Sequence, residues 1–381
     1  MTNKKLLAGM SAMVLAFVFG LVLAGCASAP TNPGGGGGSA NGTVQAAAVN
    51  AAAAEQLAAD INAIKPGSAE VSGSTVTIVG GFVEIRNGLT VPESVTLEVT
   101  AGGSALGLRD SLLTVNGTVN AGSTHIRLED NASWATINGS GTINLTSKGR
   151  LLSVDGNENV VARKLTVDGV TLVGLPDNDQ PVVEIGNGGA FILKSGAITG
   201  NTVNSEGAGG GGVGVWEGGL FTMQGGAISG NSANGSRASE GGGVTVNKGT
   251  FTMEGGEISG NTSKGGQFAL GGGVFVGSES VFTMKGGTIS GNSAISNEKT
   301  IGGGVSVNDG GATFIMEGGT IYGSSAEGGN ANTVSKNGAV FEVWGTAKWG
   351  TGGTYTKGGA SQSGGSDIGT TSDTLIAVPA K

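Results

Sequence analysis

Five segments that begin with phenylalanine recur along the second half of the chain at intervals of about thirty residues. They start at Phe191, Phe221, Phe251, Phe282 and Phe314, so the interval lengthens only slightly along the chain. Three of them read Phe-Thr-Met-x-Gly-Gly-x-Ile-Ser-Gly-Asn. A nearly fixed period in this range is typical of solenoids, in which each repeat buries its apolar face only by stacking on its neighbours.

The residues inside each repeat alternate between apolar and polar, as a half-buried strand requires. Phe251 and Met253 point one way, Ile258 re-enters the core after a glycine break, and Gly-Gly-Gly-Val-x-Val at 241–246 supplies a third strand. Glycine makes up 78 of 381 residues, which approaches the composition of disordered chains, but the strict period favours order. We predict an all-β parallel β-helix solenoid with three short strands per coil, stacked about 4.8 Å apart.

Stacking of identical repeats places like residues in columns. The five phenylalanines form one interior column, and Ile198, Ile228, Ile258, Ile289 and Ile321 form another. One outward column alternates in charge near its end, with Glu254, Lys285 and Glu317, which favours in-register stacking. The polar column at the turn is predicted to be a structural ladder, because asparagine tolerates left-handed geometry and hydrogen-bonds along a stack: Asn201, Asn231, Asn261 and Asn292.

The combination of Gly-Gly-Gly-Val with Ile-x-x-Asn in one coil resembles the paired Gly-Gly-Ala-Ile and Phe-x-x-Asn repeats of polymorphic outer-membrane proteins. More broadly it is similar to the pectate-lyase-like superfamily. The resemblance covers the regular repeats clearly and the upstream residues weakly, and Val and Ile replace two of the usual residues. It implies a right-handed β-helix and, by analogy only, adhesion.

The sequence divides into six segments. Residues 44–66 are alanine-rich, with Leu57, Ile61 and Ile64 on a helical period, and predict a short N-terminal helix that caps the first coil. The full division is 1–25 signal peptide, 26–43 flexible Gly-rich tether, 44–66 capping helix, 67–190 irregular β-helix coils, 191–345 regular repeats, and 346–381 C-terminal cap and tail.

The segment 1–25 has the features of a secretory signal, with Lys4 and Lys5 before an apolar run. Leu23-Ala24-Gly25-Cys26 resembles the lipobox of bacterial lipoproteins. That resemblance implies cleavage before Cys26 and acylation of its sulfur and amino group, so the membrane is a partner through a lipid anchor. The two residues after the cysteine, Ala27 and Ser28, resemble those that direct lipoproteins to the outer membrane in Gram-negative bacteria. We expect the chain to be anchored in the cell envelope, either facing the periplasm or exposed on the cell surface. The alternative to a lipobox is an ordinary signal peptide with an incidental cysteine.

Charge and composition exclude several classes of function. The formal net charge is −8, so the chain lacks the excess of cations that nucleic-acid binding requires, and we expect no nucleic-acid partner. Cys26 is the only cysteine and His125 the only histidine. An internal disulfide, a cysteine metal site and a two-imidazole site are therefore impossible. We expect no cofactor.

Acidic residues are candidates for chemistry only in the upstream coils. Pectate-lyase-like enzymes cluster acids on an outward strand, but between Phe191 and Gly345 the only aspartate is Asp309. The separation of Asp155 and Asp177 is near one coil of a tight β-helix, so they could stack, and with Asp179 they are weak candidates for an active or calcium site. The same residues suit ordinary turns. We predict no catalytic residue.

The segments after each asparagine vary most. Residues 202–209, 232–240, 262–270 and 293–301 have lengths of 8, 9, 9 and 9 but unrelated sequences. We predict that these segments are loops. Per-repeat insertions on one face often form the binding face of a solenoid, which is one explanation of their variability. The alternative explanation is that loops outside the core vary without any function. The candidate ligand-binding residues are Arg237, Lys264, Phe268 and Lys299, together with Trp216, which can stack on a sugar or pack in a turn.

These observations lead to one principal hypothesis and two alternatives. The principal one is a noncatalytic envelope lipoprotein that displays a β-helix for adhesion or surface interaction, with a host-surface protein or glycan as partner. The first alternative is a polysaccharide lyase or glycoside hydrolase that uses the upstream acids. The second is a structural spacer in the envelope.

Overall fold

The computed structural model describes residues 40–129, 132–156, 163–308 and 310–322, and short segments beyond them at 332–334, 341–343, 346–349, 354–357, 360–363, 369–370 and 375–378. The chain divides into two compact units, Met1–Val44 and Gln45–Lys381. The second unit contains the solenoid. The predicted signal peptide, Cys26 and nearly all of the tether lie outside the described residues.

One helix, α1 (Ala40–Ile64), precedes the strands. Alanine dominates its sequence, which suits a helix because alanine has the highest helix propensity. Leu57 and Ile61 are buried in the solenoid core. The amide of Asn62 ties the helix to the first strand, since it donates to the Ala69 carbonyl (2.9 Å) and its oxygen accepts from the Ser68 backbone N–H (2.9 Å). The predicted N-terminal helix is confirmed.

The described strands form five sheets, which we name by their characteristic residues. The Phe sheet contains β4 (Leu89–Val91), β7 (Ser111–Val115), β10 (Trp134–Asn138), β13 (Lys164–Asp168), β16 (Ala190–Leu193), β20 (Leu220–Met223), β24 (Thr250–Met253), β29 (Val281–Met284), β34 (Thr313–Met316) and β38 (Thr346–Trp349). The Ile sheet contains β1 (Ala69–Ser72), β2 (Thr75–Ile78), β5 (Thr96–Val99), β8 (Thr118–Ala121), β11 (Thr142–Leu145), β14 (Thr171–Val173), β17 (Ala197–Thr199), β21 (Ala227–Ser229), β25 (Glu257–Ser259), β30 (Thr288–Ser290), β35 (Thr320–Ile321), β42 (Leu375–Val378), β39 (Thr354–Lys357) and β40 (Ala360–Ser363).

The other three sheets complete the coils. The Val sheet contains β12 (Leu152–Asp155), β15 (Val183–Gly186), β19 (Val213–Trp216), β23 (Val244–Asn247), β28 (Val274–Val276), β33 (Val305–Val307), β37 (Phe341–Val343) and β41 (Gly369–Thr370). The ridge sheet contains β18 (Thr202–Gly209), β22 (Ser232–Glu240), β26 (Thr262–Gly265), β27 (Phe268–Leu270), β31 (Ser293–Ser296), β32 (Lys299–Ile301) and β36 (Thr333–Val334). A short sheet contains β3 (Phe82–Ile85), β6 (Ala105–Leu108) and β9 (Ile126–Leu128).

The pairing of successive coils is parallel and in register, which confirms the predicted parallel β-helix. Phe221 pairs with Phe251, and Ile228 with Ile258. The first four phenylalanine rings stack inside the coils with centroids 5.6, 4.7 and 4.6 Å apart, and the Phe314 ring is tilted by 45° to Phe282 at a centroid distance of 5.1 Å. Each such pair stabilises a fold by about 0.5–1.5 kcal/mol beyond the burial of its area. The outward charges also meet, because Lys285 Nζ lies 3.9 Å from a Glu254 carboxylate oxygen.

The upstream coils belong to the same solenoid but are shorter. Leu89 pairs with Leu113, and Leu113 in turn pairs with Ile137, so the equivalent position returns well before thirty residues have passed. The later coils are longer because they contain an additional segment, the one that forms the ridge sheet. The different coil lengths explain why no single period extends through the whole sequence.

The prediction of three strands per coil is wrong for the regular repeats. The segments predicted as variable loops are strands, and they stack in parallel like the rest of the coil; Thr262–Gly265, for example, pairs with 232–235 on one side and 293–296 on the other. Nearly equal segment lengths permit this stacking, because backbone hydrogen bonds between coils depend on register and tolerate almost any outward side chain. The shorter first segment is accommodated by a register shift between Ser205 and Gly207.

Candidate functional site

The asparagine column is a buried ladder. The side-chain oxygen of Asn261 accepts from the Asn231 backbone N–H (3.0 Å), and its Nδ2 donates to the Ile228 carbonyl (2.8 Å) and to Asn292 Oδ1 (3.0 Å). The ladder extends in both directions, to Asn178 before Asn201 and to Asn332 after Asn292. These bonds leave little of any asparagine for a ligand. The left-handed conformation falls on the preceding glycines, such as Gly260 (φ 62°), and not on the asparagines, since glycine has no Cβ to clash there.

The segments 202–209, 232–240, 262–270 and 293–301 form a protrusion that we call the ridge. Each consists of two arms joined by a bend, and small inward residues fill the space between the arms. Ser239 of the second arm donates to the Ala233 carbonyl of the first (2.8 Å) and shares a hydrogen bond with Ser263 of the next coil (2.7 Å). At the bend, a Cβ on Gly265 would lie 1.7 Å from the Phe268 carbonyl oxygen, so only glycine fits.

The predicted ligand-binding residues of the ridge are all exposed but do not share one face. Lys264 lies on the outer side of the first arm, because its neighbour Ser263 points inward. Phe268, with 39% of its surface exposed, lies on the outer side of the second arm and pairs in register with Lys299. Arg237 lies at the bend. Sequence reasoning missed Ile295, an exposed residue that is the register partner of Lys264.

A polar column supports the first arm of the ridge. Lys148 forms an ion pair with Asp177 (2.9 Å), Asp177 accepts from Asn204 Nδ2 (3.0 Å), and Asn204 accepts from Asn234 Nδ2 (2.7 Å). The Lys148 ammonium and the Asn204 amide hold the pKa of the Asp177 carboxyl below its ordinary value. Asp177, Asn204 and Asn234 therefore belong to one outward column, which continues through the register partners Lys264 and Ile295.

The predicted stacking of Asp155 with Asp177 is wrong. Asp155 ends the Val-sheet strand β12 and its register partner is Gly186, whereas Asp177 lies in the turn after the Ile-sheet strand β14. The prediction failed because this coil is longer than the spacing assumed. Asp179 is exposed in the same turn. The described residues contain no group of three or more acidic, histidine or cysteine side chains that could hold a metal ion.

A different acid lies beside Asp155. Glu184 occupies the next strand of the Val sheet, on the same outward face, and forms an ion pair with Arg150. Burial raises the pKa of the Glu184 carboxyl; Arg150 opposes that rise and the charge of Asp155 adds to it. Asp155 itself accepts a hydrogen bond from the Ser153 hydroxyl (2.7 Å). Sequence reasoning missed Glu184 because no repeat motif covers this coil.

Trp216 ends strand β19 on this same face, and its register partner is Asn247, as its repeat position predicts. Its indole lies over Gly214, where a Cβ would come within 2.8 Å of Nε1. The ring extends towards the ridge, since its Cη2 would lie 3.6 Å from a Cβ on Gly209. The side chain is half-buried.

Glu240 is the register partner of Gly209, the ridge residue that lies next to the Trp216 ring. Burial raises the pKa of the Glu240 carboxyl. That carboxyl forms no hydrogen bond or ion pair with another residue in the described part of the chain. A partly buried carboxyl without a partner is destabilising when ionised.

Comparison with protein-family models, with curated proteins and with solved structures found no match to this chain. The similarity of its repeats to those of the polymorphic outer-membrane proteins and the pectate-lyase-like superfamily remains a prediction. No helix in the described ranges is both long and apolar enough to span a membrane.

Proposed function

We propose that this chain is a noncatalytic, lipid-anchored envelope protein that binds a surface protein or glycan through the ridge. The observation that supports the proposal most strongly is the ridge itself. Its backbone is held in register by hydrogen bonds between coils, while its outward side chains differ from coil to coil. A rigid scaffold with variable exposed residues is the usual arrangement of binding surfaces.

The third segment of the ridge, 262–270, favours a partner with acidic groups, because Lys264 is exposed there and the segment contains no acidic residue, whereas Glu206, Glu240 and Glu298 offset the cations elsewhere on the ridge. Arg237, Lys264 and Lys299 are exposed on the ridge of a chain whose net charge is −8. Phe268 and Ile295 add exposed apolar surface beside two of these cations. Cations next to apolar surface are typical of binding sites for anionic polymers and acidic protein faces.

Binding of the purified chain to arrays of acidic glycans and matrix proteins tests this proposal. We expect Lys264→Ala and Phe268→Ala each to weaken binding to the array member that binds, by about tenfold for a loss of 1.4 kcal/mol. Lys285→Ala is the control for Lys264→Ala, since it removes an exposed lysine outside the ridge. Leu220→Ala is the control for Phe268→Ala, since it removes an exposed apolar side chain from the Phe sheet. Equal losses in the controls, or no binding at all, would favour the structural spacer.

The lyase or hydrolase alternative retains one carboxyl pair, Asp155 and Glu184, which lie on adjacent strands. Incubation with polyuronides, followed by absorbance of unsaturated products and by new reducing ends, tests it. Turnover that disappears in Glu184→Gln would replace the noncatalytic proposal with this one.

The lipid anchor has a separate test. Labelling of growing cells with an alkyne fatty acid is expected to mark the chain, and Cys26→Ala is expected to abolish the label. Protease treatment of intact cells then distinguishes a surface-exposed chain, which is cleaved, from one that faces the periplasm.

A further inference from the structure

The connection between the short sheet and the Phe sheet in the first coil contains a reactive pair, Asn87-Gly88. Strand β3 ends at Ile85, β4 begins at Leu89, and a bend joins them. In an Asn-Gly pair the glycine nitrogen can attack the asparagine side-chain carbon, because glycine has no side chain to hinder the approach and its backbone is unusually free. In a folded chain the reaction therefore depends on whether both groups are free to move.

Neither reacting group of Asn87-Gly88 is held by another residue. The Asn87 side chain is exposed and forms no hydrogen bond with any residue that the structure describes. The Gly88 N–H likewise has no acceptor in the described ranges. The bend contains no hydrogen-bonded turn, and Gly88 is in the left-handed conformation (φ 87°). The side chain and the nitrogen can approach each other without breaking an existing contact.

Water can reach the same pair. Asn87 and Gly88 line a cavity of about 670 Å³ whose other walls include Ile64 at the end of α1 and Leu112 of β7. β4 is the terminal strand of the Phe sheet, and no described strand pairs with its other edge. A reaction at this position that consumes water needs no opening of the fold.

Hydrogen bonds hold both groups of the next two Asn-Gly pairs along the chain. The Asn138 side-chain oxygen accepts from the Thr114 hydroxyl (2.8 Å), and the Gly139 N–H donates to the Asp168 carbonyl (3.1 Å). Asn116-Gly117 is held in the same way, through hydrogen bonds to its side chain and to its glycine nitrogen. The coil must open locally before either pair can react, and local opening costs free energy.

The backbone restrains two further pairs. The Asn234 amide donates to Asn204 Oδ1 (2.7 Å), and Gly235 pairs with a neighbouring coil on each side in the ridge sheet. Asn187-Gly188 is exposed, but it forms the centre of a turn that a hydrogen bond from the Gly189 N–H to the Gly186 carbonyl closes (2.8 Å). Asn87-Gly88 is the least restrained of these five pairs.

We propose that Asn87 is a site of spontaneous deamidation. The Gly88 nitrogen bonds to the Asn87 side-chain carbon, and the side-chain nitrogen leaves with the Gly88 proton as ammonia, which gives a five-membered succinimide. Water then opens either carbonyl C–N bond of the ring and yields aspartate or isoaspartate. The product adds a negative charge to a cavity that Asp60 and Glu84 also line. Isoaspartate in addition lengthens the backbone between β3 and β4 by one methylene.

Incubation of the purified full chain in mildly alkaline buffer, followed by trypsin digestion and mass spectrometry, tests the proposal. Trypsin cleaves after Arg86 and Arg109, so peptide 87–109 contains Asn87-Gly88, and the other four pairs fall in four separate peptides. The mass change that replaces NH₂ by OH reports deamidation in each peptide. We expect peptide 87–109 to change about tenfold faster than the peptides of Asn116, Asn138 and Asn234, because those pairs must open first.

The same incubation in urea is the control, because unfolding removes the restraints and all five pairs should then react at similar rates. Asn87→Gln should remove the mass change from peptide 87–109 without altering the melting temperature. Isoaspartate in that peptide identifies the succinimide route, whereas aspartate alone would indicate direct hydrolysis and contradict it. The proposal is overturned if Asn87 in the folded chain reacts no faster than Asn138, or if it reacts only in urea.

Discussion

At Asn261, hydrogen bonds from two neighbouring coils meet on one buried side chain. Loss of that side chain leaves the Asn231 N–H without an acceptor and removes one donor each from the Ile228 carbonyl and Asn292 Oδ1. We expect Asn261→Ala to lower the free energy of unfolding by about 3 kcal/mol, because each unsatisfied buried group costs about 1–3 kcal/mol. Denaturation in urea measures it.

Asn234→Ala is the control for the ladder. Asn234 donates to Asn204 in a part-buried outer column, and we expect its loss to change stability by less than about 0.5 kcal/mol. An equal effect of both substitutions would show that the buried ladder has no special role in stability.

Glu240 predicts a pH dependence. Its pKa is raised in the folded chain, so its protonated form favours folding, and that contribution is lost as pH rises through the folded pKa. We expect Glu240→Gln to unfold at a higher temperature than the parent chain at pH 7. The difference should vanish as pH falls below the ordinary carboxyl value of 4.5. A melting-temperature difference that is independent of pH would contradict this account.

Individual residues were predicted well only where the repeat defines their position. The phenylalanine, isoleucine and asparagine columns follow from the period alone. Glu184 and Glu240 could not be predicted, because their environments depend on register partners in coils of different length. Asp177 was assigned to the wrong neighbour for the same reason.

Among the elements, the ridge departs most from its predicted form. Its nearly constant length of eight or nine residues was the available signal, since unconstrained loops vary in length whereas stacked strands do not. The inward positions hold small residues of mixed polarity, such as Ala233, Ser263 and Ala269. Only two of these inward positions are β-branched, Val203 and Thr300, so strand propensity was too weak to indicate the arms.

Packing between the arms of the ridge can be tested by enlarging one inward residue. Ala269 is fully buried between them, and we expect Ala269→Leu to destabilise the chain by about 1–3 kcal/mol. Phe268→Ala, on the adjacent outward position, should change stability by less than about 0.5 kcal/mol. If Ala269→Leu is neutral in urea denaturation, the arms are not packed as described.

At the scale of the whole molecule, the solenoid consists of coils that contact mainly their neighbours, so complete coils should be removable. Deletion of residues 221–250 joins Leu220 to Phe251 and lets Phe191 stack on Phe251 in register. We expect this chain to fold with a β-rich circular dichroism spectrum and cooperative unfolding. Deletion of residues 221–235, about half a coil, should abolish cooperative unfolding, because it shifts every later column out of register.

The central claim is that the repeated columns maintain the fold while the ridge carries the interaction. Exchange of residues 262–270 for the sequence of 232–240 tests it most directly, since both segments have nine residues in one register. We predict an unchanged melting temperature and loss of binding to the array member that the parent chain binds. Undiminished binding by this chain would contradict the claim.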